Sequence, residues 1–328
     1  MSPSPAPDGA PPLLQVEGLR TWFPVRDGLM QRTRSWVRAV DGVDLTLDRG
    51  FTLALVGESG CGKTTVGRTL VGLERPRAGS IRFDGVELTQ LSPAALRPVR
   101  RRLQLVFQDP AAALDPRMRI GEAIEEGPRN FGLPCRSAEL LERVGLDAAM
   151  ALRWPHELSG GQRQRVCIAR ALALEPELIV CDEALSALDV SVQAQILNLL
   201  ADLRRQHSLA YLFISHDLSV VRHFAHRVAV MYLGRIVEEG PTGRVFERPA
   251  HPYTRALLAA APRLTPAPHH PTALLAGDPP SPIAPPPGCP FHPRCPEALA
   301  GRCAREEPPV LPVAGGGISR CLLAPERP

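Results

Sequence analysis

The chain contains 328 residues, of which 44% are hydrophobic and 22% are charged, and this composition excludes a wholly disordered protein. The net charge is only +4 and the basic residues are spread along the sequence, so no basic patch indicates nucleic-acid binding. The apolar runs are far shorter than the ~20 residues of a membrane helix, and the first residues lack the pattern of a signal peptide. We therefore expect a soluble, intracellular protein.

From Leu13 to about Gly240, strand-like and helix-like patterns alternate, and several of the strands are continuously apolar. The predicted strands are 13–16, 51–56, 81–83, 103–107, 178–181, 211–214 and 228–232, and the predicted helices lie near 64–73, 137–145, 160–174, 191–206, 217–224 and 252–261. This alternation favours a layered α/β fold with a largely parallel sheet. The arginine-rich segment Arg26–Arg38 is expected to be a solvated hairpin, with contact to lipid headgroups or a partner protein as the alternative.

Composition divides the chain into four segments. Residues 1–12 are rich in Pro, Ser and Ala and are predicted to be a disordered tail, and residues 13–261 form the main domain. The many prolines of residues 262–288 exclude helix and sheet and predict a semi-rigid linker. Residues 289–328 are predicted to form a small module rich in Cys and Pro, with too few apolar side chains for a core of its own.

A phosphate-binding loop is predicted at Gly57-Glu58-Ser59-Gly60-Cys61-Gly62-Lys63-Thr64, between an apolar strand and a helix. Glycines let the backbone N–H groups curl around phosphate oxygens, and the helix N-terminus adds the positive end of its dipole. Lys63 can reach the β- and γ-phosphates, and the Thr64 hydroxyl can bind Mg²⁺. Lys63 is also the single lysine of the chain, which indicates that a compact ammonium is required at this position.

The strand 178–181 leads into two carboxylates, Asp182 and Glu183. Asp182 is placed to hold Mg²⁺ directly or through water, and Glu183 can polarise a water molecule for in-line attack on a γ-phosphate. Two carboxylates at a strand end are weak evidence when they occur alone. They become evidence for a nucleotide site because the same chain also contains a phosphate-binding loop.

The segment Leu158-Ser159-Gly160-Gly161-Gln162 begins another predicted helix. A serine hydroxyl and bare backbone amides at a helix N-terminus form a second anion-binding site, which two chains arranged head to tail would use together with the phosphate-binding loop. With this segment the sequence resembles the ATP-binding cassette ATPases, whose signature motif it matches. The resemblance implies, over residues 13–261, a P-loop NTPase cassette with a mixed or parallel sheet core, an antiparallel β part and a helical signature subdomain.

The resemblance also implies roles for single residues. Gln108 matches the glutamine that senses Mg²⁺ and the transporter, His216 the histidine that contacts the γ-phosphate, and Ser186-Ala187-Leu188-Asp189 the loop that communicates across the dimer. Phe23 is the better match for the aromatic that stacks on adenine, and Trp22 is the alternative. The implied catalytic residues are Lys63, Glu183 and His216, and the implied Mg²⁺ ligands are Thr64, Gln108 and Asp182. The implied nucleotide-binding residues are Phe23, Gly57, Ser59, Gly60, Cys61, Gly62, Lys63, Thr64, Thr65, Gln108, Ser159, Gly160, Gly161, Gln162, Asp182 and Asp189.

Further motifs are similar to the ATPase subunits of dipeptide and oligopeptide importers: Glu58–Lys63, Gln108-Asp109-Pro110, His251-Pro252-Tyr253-Thr254-Arg255 and Cys289–Pro296. This resemblance, which runs from about Leu13 to Cys321, implies a peripheral subunit at the cytoplasmic face of the membrane that hydrolyses ATP to power peptide import. The implied partners are a second ATPase subunit, two membrane permease subunits and, indirectly, an extracytoplasmic peptide-binding protein.

The sequence leaves open a different cargo and a different class of cassette ATPase. An ATPase subunit does not touch the cargo, so nickel and glutathione importers remain alternatives. A cassette ATPase of DNA repair is disfavoured, because the interval between loop and signature has no room for a coiled-coil insertion. No nucleic-acid partner is expected.

The eight cysteines fall into two groups. Cys61, Cys135, Cys167 and Cys181 are scattered and are predicted to be small packing residues. Cys289, Cys295, Cys303 and Cys321 cluster in the coreless C-terminal segment, which suggests a metal centre. These four lack the close pairs usual for structural zinc, and the importer resemblance implies a 4Fe-4S cluster, with zinc or no metal as the alternatives.

Overall fold

The computed structural model describes residues 11–27, 32–185, 188–260 and 277–324. Its strands are β1 Leu14–Asp27, β2 Arg32–Leu47, β3 Thr52–Val56, β4 Ala78–Phe83, β5 Val86–Glu87, β6 Leu103–Val106, β7 Leu178–Asp182, β8 Ala210–Ile214, β9 Arg227–Tyr232, β10 Arg235–Pro241, β11 Leu311–Pro312 and β12 Ile318–Ser319. Its α-helices are α1 Lys63–Leu70, α2 Pro93–Arg102, α3 Pro110–Ala113, α4 Ile120–Asn130, α5 Ser137–Arg143, α6 Gly160–Leu172, α7 Val190–His207, α8 Leu218–Phe224, α9 Thr242–Glu247 and α10 Pro252–Ala260. Among the described helices, none is long and apolar enough to cross a membrane.

Several predicted features fall partly outside the described residues, among them the tip of the hairpin at 28–31 and the last residues, 325–328. The others include the N-terminal tail as far as residue 10, the linker from 262 to 276, and the pair Ser186 and Ala187. The chain divides into two compact units. The first comprises residues 1–47, 53–89 and 215–328, and the second comprises residues 48–52 and 90–214.

The first unit contains an antiparallel sheet with the strand order β2-β1-β4-β5. Its long β1–β2 hairpin pairs Asp27 with Arg32 at the described end, which confirms the hairpin predicted over 26–38. A second group of strands has the order β11-β12-β10-β9-β3, in which β3 and β9 are parallel and the others antiparallel. The unit therefore combines an antiparallel part with mixed sheet.

The described part of the C-terminal segment is integrated into this first unit. Strand β12 extends the sheet by pairing Ser319 with Glu238 of β10. In the proline-rich stretch, the Pro282 carbonyl accepts a hydrogen bond of 3.0 Å from Arg38 N–H. The domain boundaries drawn from composition stay a prediction.

The second unit contains three parallel strands in the order β8-β7-β6. It also contains the helices α2 to α7, which lie before, between and after β6 and β7 in the chain. All residues of β7 and β8 are buried, as their continuous apolar sequences predict. Because the strands are parallel, their carboxyl ends meet at one edge, and the polar residues after β6 and β7 lie there.

Candidate functional site

The loop 57–64 has a backbone that only glycine can adopt at two positions. Gly57 has a φ of +154°, and a Cβ atom there would lie 2.2 Å from the Met231 carbonyl oxygen. Gly62 has a φ of +110°, and its Cβ would lie 2.0 Å from the Ala39 carbonyl oxygen. Among the described side chains, none caps the N-terminus of α1, which begins at Lys63. The loop thus ends at a helix start whose N–H groups suit an anion.

Lys63 lies inside this loop and is only 4% exposed. Its ammonium donates to the carbonyl oxygens of Gly57 at 2.9 Å and Glu58 at 3.0 Å. Thr64 and Thr65 follow in the first turn of α1 and are partly buried. Burial raises the pKa of the Cys61 thiol above its ordinary value, so this loop residue stays neutral. Lys63 is therefore the cation of the loop, and it is held by two neighbouring carbonyls.

The first unit also holds the two aromatic candidates and His216. The guanidinium groups of Arg38 and Arg77 lie over the Trp22 ring, at 5.0 and 5.1 Å from its centroid. Phe23 follows in β1, so its side chain points to the opposite face of the strand, where it is partly buried. The stacking of Phe23 on adenine, with Trp22 as the alternative, stays a prediction. His216 is exposed at the connection between β8 and α8.

The second unit brings Gln108, Asp182 and Glu183 to one edge of its parallel strands. Asp182 ends β7 and is 3% exposed. The Gln108 side-chain amide donates to Glu183 Oε2 at 3.1 Å. Glu183 has a φ of +46°, and its N–H donates to the Ile214 carbonyl at 3.0 Å. A non-glycine residue in the left-handed region stores strain of about 1–3 kcal/mol, which is typical of functional positions.

The signature segment forms the start of α6. Ser159 is its N-cap: its hydroxyl accepts from Gln162 N–H at 3.3 Å, and the Gln162 side-chain oxygen accepts from Ser159 N–H at 2.9 Å. Ser159 and Gly160 are exposed, whereas a Cβ on Gly161 would lie 2.9 Å from Val192 Cγ1. The segment is thus a capped helix start that offers a hydroxyl and backbone amides at the surface.

Asp189 has an observed role that the sequence interpretation did not include. It is the N-cap of α7, and its carboxylate accepts a hydrogen bond from Val192 N–H at 2.9 Å. A role in communication across a dimer stays a prediction for this residue.

The four C-terminal cysteines line one cavity, together with His251, Pro252, Phe291, His292, Glu297, Pro308, Leu322 and Leu323. Burial, reinforced by the neighbouring thiols, raises the pKa of Cys289 to about 11. Cysteine sulfurs are common metal ligands. However, the described part of the chain contains no group of three or more His, Cys, Asp or Glu side chains arranged to hold a metal ion. The described residues therefore show no preformed site for the predicted iron–sulfur cluster, although the four cysteines share one cavity.

Sequence interpretation missed two contacts of Glu58 in the phosphate-binding loop. The Arg294 guanidinium donates to both carboxylate oxygens of Glu58, at 2.7 and 2.9 Å, and the Tyr253 hydroxyl accepts from Glu58 N–H at 2.9 Å. Tyr253 belongs to the His-Pro-Tyr segment that the sequence singled out. Arg294 lies in the motif Cys289–Pro296, but its pairing with Glu58 left no sequence signal, because the two residues are more than 200 positions apart along the chain.

Comparisons with known proteins agree with this geometry. Residues 40–186 match the family described as "ABC transporter", and residues 237–303 match "Oligopeptide/dipeptide transporter, C-terminal region". The chain is 51% identical over 315 residues to a "Probable peptide ABC transporter ATP-binding protein" of Sinorhizobium fredii, covering 94% of this chain and 89% of that protein. It is 55% identical over 273 residues to the "Glutathione import ATP-binding protein GsiA" of Escherichia coli, covering 81% of this chain and 44% of GsiA. The chain thus spans less than half the length of its glutathione-import relatives.

Solved structures are similar in fold. The "ATP-binding cassette MJ0796 bound to ADP and Pi", a dimer in a post-hydrolysis state, has a TM-score of 0.63 at 27% identity, covering 70% of this chain and 98% of that chain. CbiO1 from Clostridium perfringens, part of the ABC transporter complex CbiONQ, has the same TM-score and identity, covering 73% of this chain and 92% of that chain.

Proposed function

Because the chain belongs to the ATP-binding subunits of ABC transporters, we propose that it hydrolyses ATP to power peptide import through a membrane permease. The observation that carries the ATPase function is the geometry of the loop 57–64. Gly57 and Gly62 pack closely against backbone carbonyl oxygens, and two loop carbonyls hold Lys63 at the start of α1. The match of residues 237–303 to the C-terminal region of oligopeptide and dipeptide transporters supports the cargo class.

Each proposed residue has a chemical task. The backbone of the loop and the Lys63 ammonium stabilise the charge of the nucleotide's phosphates. Glu183 accepts the proton of the attacking water, and the Gln108 amide, 3.1 Å from the Glu183 carboxylate, orients that group. The exposed His216 contacts the γ-phosphate in this proposal.

Mg²⁺ fits the oxygen donors that the chain offers. The Thr64 hydroxyl, the buried Asp182 carboxylate and the Gln108 side-chain oxygen are ligands that this cation prefers. When bound to such oxygens, Mg²⁺ would supply positive charge to the phosphate oxygens. The chain's own part is to hold these oxygens on the first turn of α1 and at the ends of β6 and β7.

We also propose that the exposed start of α6 binds the nucleotide held by a second ATPase subunit. Ser159 and Gly160 are exposed and already shaped as a capped helix N-terminus. The dimeric form of the related cassette supports this arrangement. Two permease subunits and a peptide-binding protein complete the proposed transporter, with this chain on the cytoplasmic face.

The cargo is tested by assembling the transporter. The chain is co-expressed with the permease subunits and binding protein encoded beside it and is placed in proteoliposomes. We expect ATP turnover to rise when the binding protein carries a dipeptide or oligopeptide. Stimulation by glutathione or Ni²⁺ instead would replace the peptide assignment and leave the ATPase function intact.

The four cysteines around one cavity support a separate proposal, that Cys289, Cys295, Cys303 and Cys321 bind a 4Fe-4S cluster. Protein purified without oxygen would then be brown and contain about four irons per chain. Replacing any one of the four cysteines with Ser should bleach it, whereas Cys135→Ser should not. Colourless protein with one zinc per chain, or with no metal, would reject the cluster.

A further inference from the structure

Glu58 is the one acidic residue of the phosphate-binding loop, and residues from the far end of the chain hold it. The Arg294 guanidinium donates to both of its carboxylate oxygens, at 2.7 and 2.9 Å. The Tyr253 hydroxyl accepts from its backbone N–H at 2.9 Å. All three residues belong to the first unit. The loop therefore has a direct connection to the cysteine-rich segment.

Arg294 is firmly placed for this contact. Its side chain is only 5% exposed, and it ends the 3-10 turn His292–Arg294, directly before Cys295. Its guanidinium lies 5.9 Å from the centroid of the Tyr232 ring. Its two hydrogen bonds to the Glu58 carboxylate, at 2.7 and 2.9 Å, hold the guanidinium against the loop.

An aromatic cluster fixes Tyr253 beside the same loop residue. The Tyr253 ring packs against Tyr232 at 4.7 Å and against Phe291 at 5.4 Å between centroids, and Phe291 and Tyr253 are fully buried. His251 Nδ1 accepts from Tyr253 N–H at 3.0 Å, which fixes the start of α10. The His-Pro-Tyr segment and the cysteine-rich segment thus share one packed cluster next to the loop.

A carboxylate in a phosphate-binding loop poses an electrostatic problem. Unpaired, Glu58 would repel the nucleotide's phosphates, and its flexible side chain would leave the loop free to change shape. The paired guanidinium neutralises the charge and fixes the carboxylate through two parallel hydrogen bonds, which lysine cannot reproduce. The carbonyl of the same residue accepts from Lys63 at 3.0 Å, so movement of Glu58 also affects Lys63.

We propose that Arg294 is a positioning residue for ATP binding, which acts by neutralising and holding Glu58 so that the loop 57–64 accepts phosphates. This inference rests on the proposed role of the loop in binding the nucleotide. It gives the C-terminal segment a part in ATP affinity, although its sequence lies far from every ATP-site motif.

The test measures the affinity of the full-length chain for Mg²⁺-ATP by isothermal titration. Arg294→Met should weaken binding about 10-fold, and Arg294→Lys, which keeps the charge but not the paired bonds, should weaken it less. The matched control is Glu307→Gln. It removes an ion pair between the C-terminal segment and Arg235 of β10 that does not touch the loop, so the affinity should stay unchanged.

A double variant distinguishes action through Glu58 from a general structural role. In the Glu58→Gln background, Arg294→Met should change the affinity for ATP by less than about twofold. The reason is that Glu58→Gln has already removed the carboxylate that Arg294→Met would leave unpaired. Wild-type affinity in Arg294→Met, or an equal loss in both backgrounds, would overturn the inference. If Arg294→Met does not fold, the same comparison is made with Arg294→Lys.

Lys63→Ala separates this inference from the proposed function. If Lys63→Ala abolishes ATP binding while Arg294→Met does not weaken it, only the role of Arg294 is wrong. If Lys63→Ala binds ATP normally, the role of the loop itself is wrong.

Discussion

The single lysine of the chain stands where a compact cation is needed. Lys63 is 4% exposed, and its ammonium donates to the carbonyls of Gly57 and Glu58 at 2.9 and 3.0 Å. An ammonium can aim its donors at both carbonyls and at a bound phosphate within a narrow loop. A planar guanidinium is wider and carries its charge over a larger area. The choice of lysine at this position therefore follows from the geometry of the loop.

Lys63→Arg should lower the affinity for ATP at least ~10-fold, although the charge is kept. Titration calorimetry with Mg²⁺-ATP measures the effect. The control is Arg68→Lys on the exposed surface of α1, which should bind as the wild type does. Normal affinity in Lys63→Arg would show that the scarcity of lysine elsewhere says nothing about this site.

Sequence motifs identify residues of the site, but they do not predict contacts made through the fold. The Gly-rich loop and the pair Asp182-Glu183 are visible because each is continuous in sequence and adjoins a recognisable strand. The positive φ of Glu183 and the pairing of Glu58 with Arg294 left no sequence signal. Both depend on backbone and side chains that the tertiary structure brings together.

Among the secondary-structure elements, the strands that are buried on both faces were predicted well, because their sequences are continuously apolar. Strands β3, β7, β8 and β9 were predicted to within one or two residues. Strand β2 was predicted only as one arm of the hairpin over 26–38 and not to its full length, because many of its residues are exposed or half-buried and its sequence is rich in arginine. Strand β10 was missed because it contains Glu238 and Glu239. Glutamate is typical of surface positions, but both of these residues are buried. The partners that stabilise these glutamates, Arg244 and Arg227, become visible only in the structure.

Gly62→Ala should lower the free energy of unfolding by about 2 kcal/mol or more, because the new Cβ would lie 2.0 Å from a carbonyl oxygen at a φ of +110°. Urea denaturation measures this loss. The control, Gly243→Ala, places a methyl group on α9 with nothing within 4 Å, and it should be neutral or stabilising. Equal stability of the two variants would contradict the backbone geometry of the loop.

The buried strand β7 should make stability depend on alkaline pH. Burial raises the pKa of Cys181 from an ordinary value of 9.0 to about 12. The thiol then ionises first in the unfolded chain, so its contribution is complete below pH 9 and is lost as the pH rises towards 12. Urea titrations from pH 8 to about 11 should give a steeper loss of stability for the wild type than for Cys181→Ala. Parallel pH dependences would contradict the burial of this thiol.

At the scale of the whole molecule, the C-terminal segment is more closely joined to the first unit than its composition suggests. Its few apolar residues and its prolines predicted a module without a core. In the structure, β12 pairs with β10 and Phe291 packs among Tyr232 and Tyr253. Residues of the segment thus pack against residues that lie 38 or more positions earlier in the chain. Composition cannot reveal such long-range packing.

The proposed hydrolysis of ATP with Glu183 as the proton acceptor needs residues of both units. It is tested most directly by comparing Mg²⁺-ATP turnover by the assembled transporter containing either the wild-type chain or Glu183→Gln. We expect the variant to bind ATP with wild-type affinity and to hydrolyse it at least ~100-fold more slowly, as for the loss of a general base. Near-normal turnover by Glu183→Gln would contradict the account.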